Sequence, residues 1–160
     1  TRALCREIVE AKLSIRPNCA ARTLRQDVEP IARVSQEVGL PIEAAVFIGS
    51  SPIRQLAESW TVDTILQHSV EAIRFAVSEG LPVMYVTEDT TRSHPETVRR
   101  LYQAAVEAGA RRVCVADTVG HATPEGTAAV VDMVYGEHET ALMRVTVAAA
   151  IPAAESKLPS

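Results

Sequence analysis

Val83-Met84-Tyr85-Val86-Thr87-Glu88-Asp89 and Val113-Cys114-Val115-Ala116-Asp117-Thr118-Val119-Gly120-His121-Ala122-Thr123-Pro124 decide the fold. Each is a short apolar run that ends abruptly in acids and hydroxyls, and each is followed by a helix-start signal. A strand buried on both faces reads this way when it carries polar groups to the rim of an α/β fold. In barrels of parallel strands the chemistry sits at the carboxyl ends of the strands. The place of a site is therefore legible before its chemistry is.

The rest of the chain repeats the pattern. Arg2 to Glu10 reads as the end of a helix, and Leu13 to Ala20 as a strand weakened by Pro17 and Asn18. Asp27 to Val38 is helical, with Val28, Ile31, Ala32 and Val34 on one face, and Gly39-Leu40-Pro41 stops it. Ile42 to Ile48 is a strand that ends in the turn-prone Gly49-Ser50-Ser51-Pro52. Thr61 caps a helix to Ser78, with Ile65, Val70, Ile73 and Val77 inward and Gly80 at its end. Pro82 to Thr87 is a strand. Ser93-His94-Pro95-Glu96 is a capping-box pattern whose helix ends at Gly109. Arg112 to Ala116 is a strand, Thr123-Pro124-Glu125 starts a helix to about Tyr135, and Leu142 to Val147 is a fifth strand.

Strand and helix alternate at a spacing of roughly 30 to 40 residues, the size of a βαβ unit. The order implies a parallel sheet with right-handed crossovers, either doubly wound or part of a (β/α)8 barrel. A complete barrel takes about 250 residues. The fold class expected is thus α/β, an incomplete parallel (β/α) barrel of TIM type with about four βα units. Residues 1–147 form the partial barrel. Residues 148–160 read as a low-complexity tail, disordered or loosely packed.

The bulk composition narrows the function. The chain has 160 residues, 47% hydrophobic but only 4% aromatic, so its core is built of Ala, Val, Ile and Leu. Net charge is −4, with no arginine-rich patch interleaved with aromatics, which argues against nucleic acid. No apolar run approaches the roughly 18 residues of a membrane span, and no basic-then-apolar leader is present. Cys5, Cys19 and Cys114 are odd in number and widely spaced, which points to a reducing cytoplasm rather than a disulfide framework. The chain begins at Thr1 without Met, read as a cut boundary.

Alternation sets the faces. Met84, Val86 and Glu88 point one way, Tyr85, Thr87 and Asp89 the other, and on the next strand Cys114, Ala116 and Thr118 share a face. A barrel interior takes small and branched residues below and polar groups at the top, which places Glu88 and Thr118 side by side at the mouth. The competing reading of Glu88 is a structural tie to Arg92. Asp117 points toward the helices and accepts backbone N–H bonds in its loop. Cys114 is a core residue. Of His68, His94, His121 and His138, none has a second His or Cys at metal-ligand spacing. His68 belongs on a helix surface, His94 after the capping serine, and His138 in a polar turn. Only His121 sits at a strand end beside other candidates. Gly49-Ser50-Ser51-Pro52 reads either as an anion-holding nest or as a plain turn.

Three motifs follow one another at βα spacing: Phe47-Ile48-Gly49-Ser50-Ser51-Pro52-Ile53, Thr87-Glu88-Asp89-Thr90-Thr91-Arg92, and Ala116-Asp117-Thr118-Val119-Gly120-His121-Ala122-Thr123-Pro124. Together they resemble the catalytic barrel of the 2-isopropylmalate synthase and homocitrate synthase family, over roughly Ala11 to Val134. Members condense acetyl-CoA with a 2-oxo acid on a TIM barrel, with a divalent metal (Mg, Mn or Zn) as Lewis acid. The resemblance implies a cytoplasmic transferase of amino-acid, specifically leucine, biosynthesis. It makes Glu88 the active-site glutamate near the reacting carbons and Thr118 the threonine that binds the oxo-acid carboxylate. Ser50, Ser51 and His121 fall among the substrate-binding positions.

The chain also departs from the family. Nothing matches the Asp-x-x-x-Arg-Asp-Gly segment of the family's first strand, and the family's His-x-His position reads Arg144-Val145-Thr146-Val147-Ala148. The expectation is therefore no metal site in this chain, and no activity from it alone. Met84 and Val86 stand where homocitrate-type members carry an arginine and a serine for a distal carboxylate. Leaving a polar group unpaired there costs roughly 2–7 kcal/mol, so an apolar or short oxo acid fits better. Small-molecule substrates are the expected partners, with self-association through exposed strand edges. The same barrel also serves acyl-CoA lyases, and a non-catalytic half-barrel acting by association is the alternative of another class.

Overall fold

The computed structural model describes residues 1–120, 122–136 and 144–149, the last of these as backbone. Five strands, β1 (Asn18–Arg22), β2 (Glu43–Gly49), β3 (Val83–Glu88), β4 (Arg112–Asp117) and β5 (Arg144–Ala149), form one parallel sheet in the order β1-β2-β3-β4-β5. Helices α1 (Arg2–Glu10), α2 (Arg25–Val38), α3 (Pro52–Glu58), α4 (Val62–Ser78), α5 (Pro95–Glu107) and α6 (Pro124–Gly136) accompany it. Spatial order that follows chain order is the signature of a singly wound arc. A doubly wound sheet reverses direction at a switch point, and this one does not. The arc is part of a (β/α) barrel.

The helices pack on one face. Helix α2 lies on β1 and β2, α4 on β2 and β3, α5 on β3 and β4, and α6 on β5. Alternation puts Ala44, Val46, Ile48, Val83, Tyr85, Val113 and Val115 beneath them, all buried. Each fully buried branched or aromatic side chain contributes roughly 1.5–3 kcal/mol. With few aromatics, two tyrosines anchor this layer. Tyr85 and Tyr102 meet edge to face with centroids 6.1 Å apart. The Tyr85 hydroxyl bonds Ser69 Oγ at 2.8 Å, and Tyr102 donates to the Cys114 carbonyl at 2.7 Å. Burial pushes both phenols well above their ordinary pKa.

Helix ends follow local chemistry. Thr61 Oγ1 accepts from Thr64 N at 3.1 Å and starts α4, and Gly80 at φ 80° ends it. Thr123 Oγ1 accepts from Gly126 N and starts α6. Several expectations need correction. Strand β1 begins at Asn18 rather than Leu13, because Pro17 has no N–H to donate; its carbonyl instead accepts from Glu43 N at 2.9 Å. Val77 is exposed and Ala76 takes the inward place, on the Ile65, Ser69, Ala72, Ile73 stripe. The cap of α5 is His94, whose Nδ1 accepts from Glu96 N, and not Ser93. The turn after Gly49 leads at once into the short helix α3, which the sequence reading missed. Strand β5 continues through Ala149, two residues beyond the expected tail boundary. His121, His138 and residues 150–160 lie outside the described residues.

Candidate active site at the mouth of the arc

The inner face of the sheet carries the residues that the helices do not cover. Register builds it row by row. Ala45 lies beside Met84 and Met84 beside Arg112; Phe47 lies beside Val86 and Val86 beside Cys114; Gly49 lies beside Glu88. Met84, Phe47 and Val86 are half-buried and make an apolar wall below the mouth. Cys114 is buried in that wall, and desolvation raises its thiol pKa, so it is a packing residue. Glu88, at the end of β3, is half-buried at the top.

The loops at the carboxyl ends converge on Glu88. Ser50 N and Oγ both donate to the Glu88 carbonyl, at 3.2 and 3.3 Å. Ser50 Oγ also meets Ser93 Oγ at 2.6 Å, and Ser93 donates to the Asp89 carbonyl at 3.0 Å. From β4, Thr118 Oγ1 accepts from Asp89 N at 2.8 Å. That bond sets Thr118 against the Glu88–Asp89 peptide and leaves the hydroxyl proton available to a ligand. Glu88 and Thr118 are thus brought to one rim.

The acids around Glu88 are occupied. Asp89 is buried at φ 64°, a left-handed conformation that aspartate tolerates, and Arg92 grips its two oxygens at 2.7 Å each. Asp117, also buried and turned toward the helices, accepts from Ala122 N at 3.0 Å and Thr91 Oγ1 at 3.1 Å. Arg92 therefore ties to Asp89, and the structural tie between Glu88 and Arg92 does not form. Among the described residues the Glu88 carboxylate has no hydrogen-bond or ion-pair partner. It is the one predicted site acid left for a ligand.

The other predicted site residues divide. Met84 and Val86 line the wall. Ser50 and Ser51 are fully buried. Ser50 braces Glu88, and Ser51 caps α3 by accepting from Arg54 N at 3.4 Å. His68 is half-buried on α4, edge-on to Trp60.

Two mouth residues escaped the sequence reading. Arg22, at the end of β1 on the inner face, pairs with Asp27 at 2.6 Å, and its hydrogen bond holds the Asp27 carboxyl below the usual range. Arg54 crosses the end of β2: a Cβ at Gly49 would stand 2.8 Å from its Cγ and Nε. The missing side chain at Gly49 is what lets the arginine stem lie beside Glu88's row. The tip of Arg54 reaches Glu58 at 3.2 Å, while its Nε is buried without a partner. The only sequence signal was a glycine at a strand end followed by a proline-started helix.

A divalent cation needs several convergent oxygen or nitrogen ligands. Among the described residues no group of three His, Cys, Asp or Glu side chains converges. At the mouth Asp89 and Asp117 are turned away, and among the described residues Glu88 and Thr118 are left to offer donors. The described residues do not fit a metal. No helix among them is long and apolar enough to cross a membrane.

The chain is similar to known proteins. The HMGL-like family model matches residues 1–146. A homocitrate synthase, AksA, from Methanocaldococcus jannaschii is 34% identical over 126 residues, 74% of this chain and 31% of that protein. A 2-isopropylmalate synthase from Methylacidiphilum infernorum is 31% identical over 116 residues, 72% of this chain and 23% of that protein. The chain thus spans a third or less of the curated relatives it matches. The crystal structure of an HMG-CoA lyase from Brucella melitensis superimposes with a TM-score of 0.65 at 19% identity, over 89% of this chain and 52% of that one. At that identity the likeness shows the fold, a barrel arc.

Proposed function

We propose, from the premise that this chain belongs to the HMGL-like family, that it supplies one side of the active-site mouth of a 2-isopropylmalate synthase-like acyltransferase. The reaction joins the methyl carbon of acetyl-CoA to the carbonyl carbon of a 2-oxo acid. Water then cleaves the thioester, releasing coenzyme A and a 2-hydroxy diacid. One observation carries the reading: a half-buried carboxylate, Glu88, stands at the rim with no partner among the described residues, while its neighbours Asp89 and Asp117 are tied down. Its backbone is fixed by Ser50, so its position is set without using its side chain.

In this reading Glu88 faces the reacting carbons and handles a proton there, as a general acid or base. Thr118 donates to the oxo-acid carboxylate. Met84, Val86 and Phe47 form the wall against the oxo-acid side chain, which favours a short or apolar one over a second carboxylate. The divalent metal of such enzymes, and acetyl-CoA, belong to the complete protein. The isolated chain is silent and self-associates, because among the described residues the outer edges of β1 and β5 pair with no further strand and the inner face is apolar.

The test is coenzyme A release by residues 11–134 grafted into the Methylacidiphilum infernorum relative, with Mg²⁺ or Mn²⁺ present. The expected result is turnover with 2-oxoisovalerate or pyruvate and at least tenfold lower kcat/KM with 2-oxoglutarate, a difference of about 1.4 kcal/mol. The isolated chain should release none. Preference for 2-oxoglutarate would overturn the apolar-wall assignment. Cleavage of a hydroxyacyl-CoA without condensation would favour the lyase chemistry instead.

A further inference from the structure

At the amino ends of the strands, opposite the mouth, the loops entering β1, β2, β3 and β4 line an open cavity of about 830 Å³. That lies within the roughly 300–1,000 Å³ of small-molecule sites. Part of its wall is apolar, Leu40 and Pro82 included, and its charged residues are Arg16, Arg111, Arg112 and Glu43. Glu43 is already satisfied. Arg112 Nε donates to its Oε1 at 3.0 Å and Asn18 Nδ2 to its Oε2 at 2.8 Å.

Arg16 and Arg111 are different. Both are exposed at the cavity, and among the described residues neither guanidinium has a hydrogen-bond or ion-pair partner. Some exposed arginines find acids, as Arg22 does in Asp27 and Arg100 in Asp63, and others such as Arg6 and Arg74 stand singly on the surface, outside this cavity. In a chain whose net charge is −4, two unmatched guanidiniums on one cavity are a local reversal of sign. They come from separate loops, one entering β1 and one entering β4, on one cavity. That suits a tetrahedral oxyanion, whereas one planar fork suffices for a carboxylate.

We propose that this cavity binds a phosphate-bearing small molecule, at a site separate from the mouth. The phosphate lies between Arg16 and Arg111, and the apolar wall takes the organic part. The inference does not depend on the reaction assigned to the mouth.

The experiment is calorimetric titration of the full 160-residue chain with pyrophosphate, and with succinate as the carboxylate probe. Two double variants are compared. R16Q/R111Q empties the cavity of its free cations. R6Q/R74Q removes the same charge from exposed positions outside it. All four positions are exposed, so both variants keep the fold. The expected result is saturable pyrophosphate binding that R16Q/R111Q weakens at least roughly tenfold and R6Q/R74Q leaves within about twofold. The binding should also weaken with added salt. Absence of saturable binding, equal losses in the two variants, or succinate binding as tightly as pyrophosphate would each overturn the proposal.

Discussion

The two faces of β3 are finished to different degrees. On the helix side, Tyr85 and Thr87 are fully buried and every hydroxyl nearby is used. Thr87 Oγ1 meets Tyr102 OH at 2.6 Å and Thr90 Oγ1 at 2.7 Å, and Thr90 Oγ1 accepts from Ala116 N at 2.9 Å. On the inner side, Met84, Val86 and Glu88 are only half-covered, and the carboxylate has no partner among the described residues. One strand of six residues thus separates stability from chemistry by parity alone. Substitutions on the outer face should unfold the chain, and those at the inner rim should leave it folded.

The outer face offers the largest effects. Tyr102→Ala removes a buried ring and should cost about 3–5 kcal/mol in urea unfolding. Tyr102→Phe, which takes one partner each from the Thr87 hydroxyl and the Cys114 carbonyl, should cost about 0.5–1.5 kcal/mol. A loss under 0.5 kcal/mol from the alanine variant would erase the contrast between the faces.

The rim braces come next. Arg92→Ala leaves the buried Asp89 carboxylate without its fork. Removing one partner of a pair whose acid is buried is destabilising, and the solvent exposure of Arg92 makes the loss smaller than that of a buried ring. The variant should unfold at lower urea than the parent chain.

The smallest stability effect belongs to the exposed Arg22–Asp27 pair. The folded Asp27 pKa is lowered, so its contribution is present above the ordinary carboxylate range and is lost as pH falls through the folded value. Asp27→Asn should flatten the acid limb of the stability profile below about pH 4 and leave the slope near pH 7 unchanged. Unchanged acid dependence in the variant would mean that the pair is not formed in solution.

Much of this was legible in the residues themselves. Val83 to Asp89 and Val113 to Thr118 announced buried parallel strands because their apolar runs ended in polar groups, and strand order followed from βα alternation. Parity then placed Glu88 on the inner face and Asp117 on the outer. What escaped lay in contacts distant in sequence or in competition between neighbours. Ser93 and His94 both could cap α5, and Ser93 was drawn instead to Ser50, 43 residues away. Arg92 had two adjacent acids to choose from, and the left-handed turn at Asp89 decided between them. The Gly49–Arg54 contact had no local pattern at all, since a glycine in a strand end carries several meanings.

The central claim is that Glu88 serves chemistry rather than the fold, and one variant tests it. In the grafted barrel, Glu88→Gln should lower kcat at least about a hundredfold with KM changed little, while the unfolding free energy of the same variant, read from urea titration, changes by under roughly 0.5 kcal/mol. Retained kcat together with a marked loss of stability would contradict the account and return Glu88 to the scaffold.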